Sequence, residues 1–268
     1  MNWVQAFILA LIQGLTEFLP VSSSGHLALF GKLVGLKKPD IAFDVVIHLA
    51  TLFAVLFYYR KDIIAILLSI FGRKEESGKF SDFAERPYRF LLFGIVATIP
   101  TAIIGLYFKN KVEFLHSNLN IVGVCFLITS VFLFFAWKIQ QRGKQEKLLD
   151  FPLWLPFLIG IAQGIAIMPG ISRSGATITV ALLFGVCGED SAEFSFLLSI
   201  PAILGAFILE MKDIAGMAFS LPYVLGFFVA LIVGIFSIRL VEIVVKKLKL
   251  HYFSFYLLIV AVISFLIG

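Results

Sequence analysis

Pro20-Val21-Ser22-Ser23-Ser24-Gly25 and Pro169-Gly170-Ile171-Ser172-Arg173-Ser174-Gly175 each interrupt a stretch that is otherwise apolar, residues 3–36 and 152–187. Such clusters break helices, and non-helical backbone at membrane depth survives only where protein or a water-filled cavity surrounds it. Both regions are therefore expected to be re-entrant helix–loop–helix hairpins. Six further stretches, near 43–60, 88–108, 119–138, 192–212, 221–240 and 252–268, are long enough to cross a hydrocarbon core. Of the 268 residues, 60% are hydrophobic and 15% charged, against about 25% charged in a soluble domain. The 30 phenylalanines carry more apolar surface than one core can hide. This excludes soluble, disordered, collagen-like, coiled-coil and disulfide-scaffold classes. The expected fold is an all-α integral membrane protein with six transmembrane helices and two re-entrant hairpins.

The basic residues orient this arrangement. Fifteen of the 22 Lys and Arg fall in the 60–89 and 138–147 loops and the 239–249 turn. Lys32, Lys37, Lys38, Lys109, Lys111 and Lys212 fall on the other side, and Arg173 stands alone in the second hairpin. The positive-inside rule puts the fifteen in the cytoplasm, and the sides agree only if both broken regions turn back. The net charge of +5 is thus a topology signal, and no nucleic-acid partner is expected. Met1-Asn2-Trp3 lacks a basic leader region, so the first apolar stretch is expected to belong to the mature fold. Cys125 and Cys187, at or inside apolar runs, make no disulfide framework.

Three spans follow each hairpin, so the second half is inverted relative to the first. At a constant offset of 150, Gln13-Gly14 matches Gln163-Gly164, and Ser22, Ser24 and Gly25 match Ser172, Ser174 and Gly175. A single membrane domain, 1–268, is expected, with repeat 1 over about 1–140 and repeat 2 over about 150–268. Inverted repeats with broken helices usually share one site near the midplane.

Glu17, His26 and Arg173 are the clearest ionisable groups at membrane depth, where such groups are costly and usually functional. Gln13 and Glu17, four apart on one helix face, offer oxygen ligands for Mg²⁺ or Ca²⁺, although a polar stripe pairing two helices has the same pattern. Ser22-Ser23-Ser24-Gly25 opens a helix, where free N–H groups bind anions and where Ser also serves as an ordinary cap. Ser23 and His26, three apart, place a hydroxyl beside an imidazole, as in an activated nucleophile; a core histidine bonded to a carbonyl is the competing reading. Arg173 occupies the position of Ser23 in the second half. Its planar fork suits phosphate oxygens, and an ion pair with Glu17 or Glu193 is the alternative. Ser172, Ser174 and Thr177 add hydroxyl donors. His48 is expected one turn into the first span, and His116 and His251 solvated in loops. Glu193 is expected either to orient Arg173 or simply to open its helix. No nucleotide-binding loop is present.

Gln13-Gly14-Leu15-Thr16-Glu17-Phe18-Leu19-Pro20-Val21-Ser22-Ser23-Ser24-Gly25-His26 resembles the first signature of the undecaprenyl-diphosphate phosphatase family, the bacitracin-resistance phosphatases of bacteria. Pro169-Gly170-Ile171-Ser172-Arg173-Ser174-Gly175-Ala176-Thr177 resembles the second, and Glu193-Phe194-Ser195-Phe196-Leu197-Leu198 follows as in that family. The resemblance implies a multi-pass protein of the bacterial inner membrane that hydrolyses undecaprenyl diphosphate to the monophosphate carrier lipid and inorganic phosphate. It implies a divalent cation and a site opening to the outer face, and leaves a homodimer open. It implies that Glu17 binds metal or assists proton transfer, that Ser23 and His26 are nucleophile candidates, and that Arg173 holds phosphate. The family pattern has Glu or Gln four residues before the Glu; Gln13 stands there, so Glu17 is the main ligand. Ser22, Ser24, Gly25, Ser172, Ser174 and Thr177 would line the phosphate pocket. A lipid-phosphate transporter or flippase of the same architecture is the rival reading. The enzymatic one requires Glu17 and Arg173 to meet across one site.

Overall fold

The computed structural model describes residues 1–72, 81–109, 112–140, 145–214, 220–246 and 249–268. Arg73, Lys74, Lys79, Lys111, Arg142, Lys144 and Lys247, which entered the charge count, lie outside the described residues. The described chain is helical and contains no strand. In order it forms α1 (Trp3–Thr16), α2 (Ser23–Leu33), α3 (Ile41–Tyr58), α4 (Arg60–Ile70), α5 (Ser81–Glu85), α6 (Pro87–Phe108) and α7 (Val112–Ser117). It continues with α8 (Leu119–Gln140), α9 (Trp154–Ile165), α10 (Arg173–Leu183), α11 (Gly188–Ile214), α12 (Leu221–Lys246) and α13 (His251–Ile267). Five of these, α3, α6, α8, α11 and α12, are long and apolar enough to cross a membrane. The sixth expected span, α13, is a shorter apolar helix, as are α1 and α9. The protein is a multi-pass membrane protein.

Both interrupted regions are pairs of short helices. Asn2 caps α1 through a reciprocal box with Gln5, which satisfies N–H groups that a helix start leaves open. The break after Thr16 lasts until Ser22 caps α2, and the break after Ile165 lasts until Ser172 caps α10. Helices α2 and α10 begin and end 150 residues apart.

Each short helix leans on the far half of the chain: α1 runs along α12, and α9 runs along α6. Small residues permit this. A Cβ on Gly14 would stand 2.8 Å from Val233 Cβ, and one on Gly164 would stand 2.8 Å from Ile104 Cβ. Helices α8 and α13 pack along one another, and α3 packs along α12. Phe18, Phe126 and Phe196 are fully buried in the central core, where Phe18 and Phe196 meet edge to face at 5.7 Å.

The connection between the halves is stapled to the start of α11. Glu146 N donates to Gly185 O and Cys187 N to Glu146 O, both at 2.9 Å. Asp190 accepts from Leu148 N at 2.8 Å and lies 3.7 Å from Lys147 Nζ.

Two histidines depart from expectation. His116 lies on α7 rather than in a loop; burial, with a smaller push from His48, lowers its pKa from 6.5 to about 4. His251 opens α13 with its ring packed on Trp137 at 4.6 Å and its Nδ1 buried. The turn before α13 is short, so its first residue already packs on α8.

Candidate active site

The two loops interlock. Ser22 Oγ accepts from its own Gly25 N at 3.4 Å and from Gly170 N of the other loop at 3.0 Å. In return Ser174 Oγ donates to Leu19 O at 3.0 Å. Thr129, in the middle of α8, braces the second loop by donating to Gly170 O at 3.0 Å and accepting from Ser172 N at 3.3 Å. A Cβ on Gly25 would sit 2.8 Å from the Gly170 backbone, so the loop tips meet only because position 25 is glycine, and a Cβ on Gly170 would sit 2.5 Å from Val122 O of α8.

The backbone solves the two turns differently. Gly170 takes φ 96°, a left-handed conformation natural to glycine. Its counterpart at offset 150 is Pro20, whose ring fixes φ near −65°. The left-handed step therefore falls on Ser22, at φ 67°, the one non-glycine residue with positive φ among the described residues.

At this junction the chemistry converges on Glu17. Arg173 Nη2 donates to Glu17 Oε1 at 2.6 Å, and Arg173 Nη1 reaches Ser195 O at 3.4 Å. Ser23 Oγ donates to Glu17 Oε2 at 2.5 Å, and Gln13 Nε2 donates to the same oxygen at 3.0 Å. His48 Nε2 lies 3.8 Å away from it. Glu17 is buried, and Ser23, Arg173 and His48 are partly open. One carboxylate thus holds a guanidinium and a serine hydroxyl brought in by two different loops.

The expected pairing of Ser23 with His26 is not what forms. His26 Nδ1 lies 2.8 Å from Ser22 O, and its Nε2 lies 2.8 Å from Tyr256 OH. A carbonyl can only accept, so Nδ1 carries the proton and Nε2 accepts from the tyrosine. The ring is boxed by Phe126 and Tyr256 at 5.1 and 5.7 Å. The physical reason is local: the Ser22 carbonyl at the cap captures the imidazole one turn later, and Ser23 turns instead to Glu17.

The remaining sequence candidates are mostly committed to holding the loops. Ser172 Oγ caps Gly175 N at 3.0 Å and meets Ser174 Oγ at 3.2 Å. Thr177 Oγ1 pairs with Ser195 Oγ at 2.6 Å, on the residue whose carbonyl Arg173 reaches. Ser24 is half-buried, 3.3 Å from Ser22 Oγ. Glu193 is buried on α11, and Arg173 is bonded to the carboxylate of Glu17. Sequence reasoning missed Tyr256, Ser195, Thr51 and Thr129. Ser195 stood in the Glu193–Leu198 run that resembles the family, and Thr129, beside Ser130 in an apolar run, carried a signal as a polar pair in mid-span.

Among the described residues no group of three His, Cys, Asp or Glu could hold a metal ion. Glu17 and Gln13 still fit a hard divalent cation that takes its other ligands from water and phosphate. Gln13 Oε1 is a buried acceptor without a hydrogen-bond partner, on the side chain whose Nε2 meets the Glu17 carboxylate.

Fold and site together define a multi-pass membrane protein with a guanidinium, a carboxylate and a serine gathered between two broken helical segments. The family model of bacitracin resistance protein BacA matches residues 6–263, and the chain belongs to that family. It is 42% identical over 270 residues to the undecaprenyl-diphosphatase of Carboxydothermus hydrogenoformans, covering 98% of this chain and 96% of the relative. It is 41% identical to the undecaprenyl-diphosphatase of Desulforapulum autotrophicum, covering 100% and 99%, and 39% identical to that of Methanobrevibacter smithii, covering 99% and 98%.

Proposed function

We infer that this protein is a membrane phosphatase that hydrolyses undecaprenyl diphosphate to undecaprenyl phosphate and inorganic phosphate. The observation that carries the reading is the Glu17–Arg173 contact at 2.6 Å, with Ser23 on the other oxygen of the same carboxylate. Membership of the BacA family and the similarity to undecaprenyl-diphosphatases support it.

In this reading the lipid tail lies between helices and the diphosphate enters at the junction of the loops. Arg173 moves from Glu17 to the phosphate oxygens, whose paired geometry its fork matches. Ser23 Oγ, held by the Glu17 carboxylate, attacks the terminal phosphorus and gives its proton to the oxygen of that carboxylate that Arg173 has left. The bond to the bridging oxygen breaks, undecaprenyl phosphate leaves, and water then hydrolyses the phosphoserine to free phosphate and serine. Arg173 and the open N–H groups at the starts of α2 and α10 take up charge on the transferred group. Ser22, Ser24, Gly25, Ser172, Ser174 and Thr177 shape this cradle. His26 holds the Ser22 carbonyl. A divalent cation, Mg²⁺ or Ca²⁺, would be held by Glu17 and Gln13 and would neutralise phosphate charge.

The architecture that goes with this reading has α1–α2 and α9–α10 as re-entrant hairpins and α3, α6, α8, α11, α12 and α13 as six spans. It forms one membrane domain of two inverted repeats. The 150-residue offset between α2 and α10, and the mutual packing of α1 on α12 and α9 on α6, support it. The protein would sit in the bacterial inner membrane with its site toward the outer face.

The test is phosphate release from undecaprenyl diphosphate by the purified chain in detergent, with no ion gradient. Steady release supports the phosphatase. No release, together with lipid phosphate crossing a reconstituted bilayer, would instead establish a flippase.

A further inference from the structure

We propose that His48 is a ligand of the divalent-cation site, and that its ring nitrogen makes the site accept a first-row transition ion such as Mn²⁺ in preference to Ca²⁺. This deepens the reading above and rests on its cation.

Four potential donors face one another from two neighbouring helices. Gln13 is on α1 with Glu17 one turn on at its C-terminal end, and His48 and Thr51 are on α3. Gln13 and Glu17 are four apart and His48 and Thr51 three apart, so each pair shares a face. Gln13 Nε2 is 3.0 Å from Glu17 Oε2 and 3.5 Å from Thr51 Oγ1, and His48 Nε2 is 3.8 Å from the same Glu17 oxygen. Two ligands held about 2.1 Å from a shared cation lie about 3 Å apart as octahedral neighbours and at most about 4.2 Å apart, so Glu17 Oε2 and His48 Nε2, at 3.8 Å, need to close by less than about 1 Å to share an ion.

The tautomer is already set. His48 Nδ1 donates to Asp44 O at 2.7 Å, the outer contact that ligating imidazoles usually make, and this leaves the Nε2 lone pair toward Glu17. Gln13 supplies the independent observation. Its Oε1 is fully buried and unpartnered, while its Nε2 faces the carboxylate. A half-turn of the amide exchanges the two ends, placing an oxygen where a cation would need one. Before substrate enters, Arg173 holds Glu17 Oε1, so one carboxylate spans guanidinium and ion. An imidazole in the set favours ions later in the first transition row, whereas Ca²⁺ prefers oxygen alone.

The experiment uses the full chain in detergent, loaded with MnCl₂ and read by electron spin echo modulation. Wild type is expected to show coupling of Mn²⁺ to one imidazole nitrogen. The coupling should disappear in His48→Gln and persist in His26→Gln, with Mn²⁺ affinity about tenfold or more weaker in His48→Gln alone. An unchanged melting temperature of His48→Gln excludes misfolding. Absence of nitrogen coupling in wild type, its survival in His48→Gln, or no Mn²⁺ binding at all would overturn the proposal. Phosphate release measured on the same samples separates the two readings: turnover without nitrogen coupling rejects only the ligand, and coupling without turnover rejects only the phosphatase.

Discussion

Arg173 Nη2 sits 2.6 Å from Glu17 Oε1 although the two residues are 156 positions apart. The contact joins two loops that each lack half of the chemistry. Paired, the two groups neutralise each other in a setting where either alone would be costly. A phosphate group would replace the carboxylate on the guanidinium, so the resting pair marks where charge is exchanged.

Arg173→Ala is expected to lower phosphate release by about a thousandfold, the scale of a phosphate-stabilising arginine. Arg173→Lys should recover only part of that, since a point charge lacks the paired donors. Initial rates on undecaprenyl diphosphate check both, and a lysine variant with wild-type turnover would remove the fork from the mechanism.

Glu17→Gln keeps the shape and removes the charge. Turnover should drop by about 10²–10⁴-fold if the carboxylate takes the serine proton. KM should not rise, because a competitor for Arg173 has been removed. A raised KM with unchanged kcat would make Glu17 a binding group only.

Ser23→Ala should abolish turnover to within the detection limit. Tyr256→Phe removes a single hydroxyl and should cost a factor of about five, the equivalent of one hydrogen bond of about 1 kcal/mol. His26→Gln is expected to cost more than Tyr256→Phe and less than Glu17→Gln. Were His26→Gln to match Ser23→Ala, the imidazole would be acting on the phosphate directly.

Gly25→Ala should separate the loop tips, since its Cβ would stand 2.8 Å from Gly170 and 2.7 Å from Phe126. Overpacking of this kind costs about 1–3 kcal/mol. Thermal melting in detergent should show the loss of stability, and turnover should fall with it.

Asp190→Ala leaves the buried Leu148 N–H without its acceptor and should cost about 1–3 kcal/mol. Lys147→Ala, which removes only an exposed partner of the same carboxylate, should cost about 1 kcal/mol or less. Asp190 raises the Lys147 pKa above its ordinary 10.5. Whatever the pair contributes is therefore fully present below that value and is lost only as pH rises through the lysine's raised pKa. Melting temperatures of the two variants at neutral pH rank the effects.

The hydropathy runs and Pro/Ser/Gly breaks made the helical order legible, because helix length and interruption are local properties of sequence. The Glu17–Arg173 meeting was legible as a requirement: ionisable groups at membrane depth need partners, and few existed. The partner of Ser23 was not legible. Spacing alone put His26 on its face, but the direction of each side chain depends on the cap geometry, which Pro20 imposes from two residues upstream. Tyr256 and Ser195 were invisible for another reason. Tyr256 lies in the apolar α13 and Ser195 in the long α11, within a run that resembled the family without marking the serine itself, and each takes its contact from what packs across it. His116 and His251 read as solvated because α7 is short and His251 is the first residue of α13, where periodicity gives little guidance.

The crossed contacts between Ser22 and Gly170, and between Ser174 and Leu19, have a bearing on biosynthesis. When the N-terminal half enters the bilayer, its carboxylate precedes its guanidinium by more than half the length of the chain. Until the ribosome has delivered the second loop, Glu17 has no guanidinium to pair with, and the strained turn at Ser22 has no counterpart to grip. Assembly of the centre is thus a late event of translation, and a polypeptide truncated before residue 170 would carry an acidic defect with nothing to heal it.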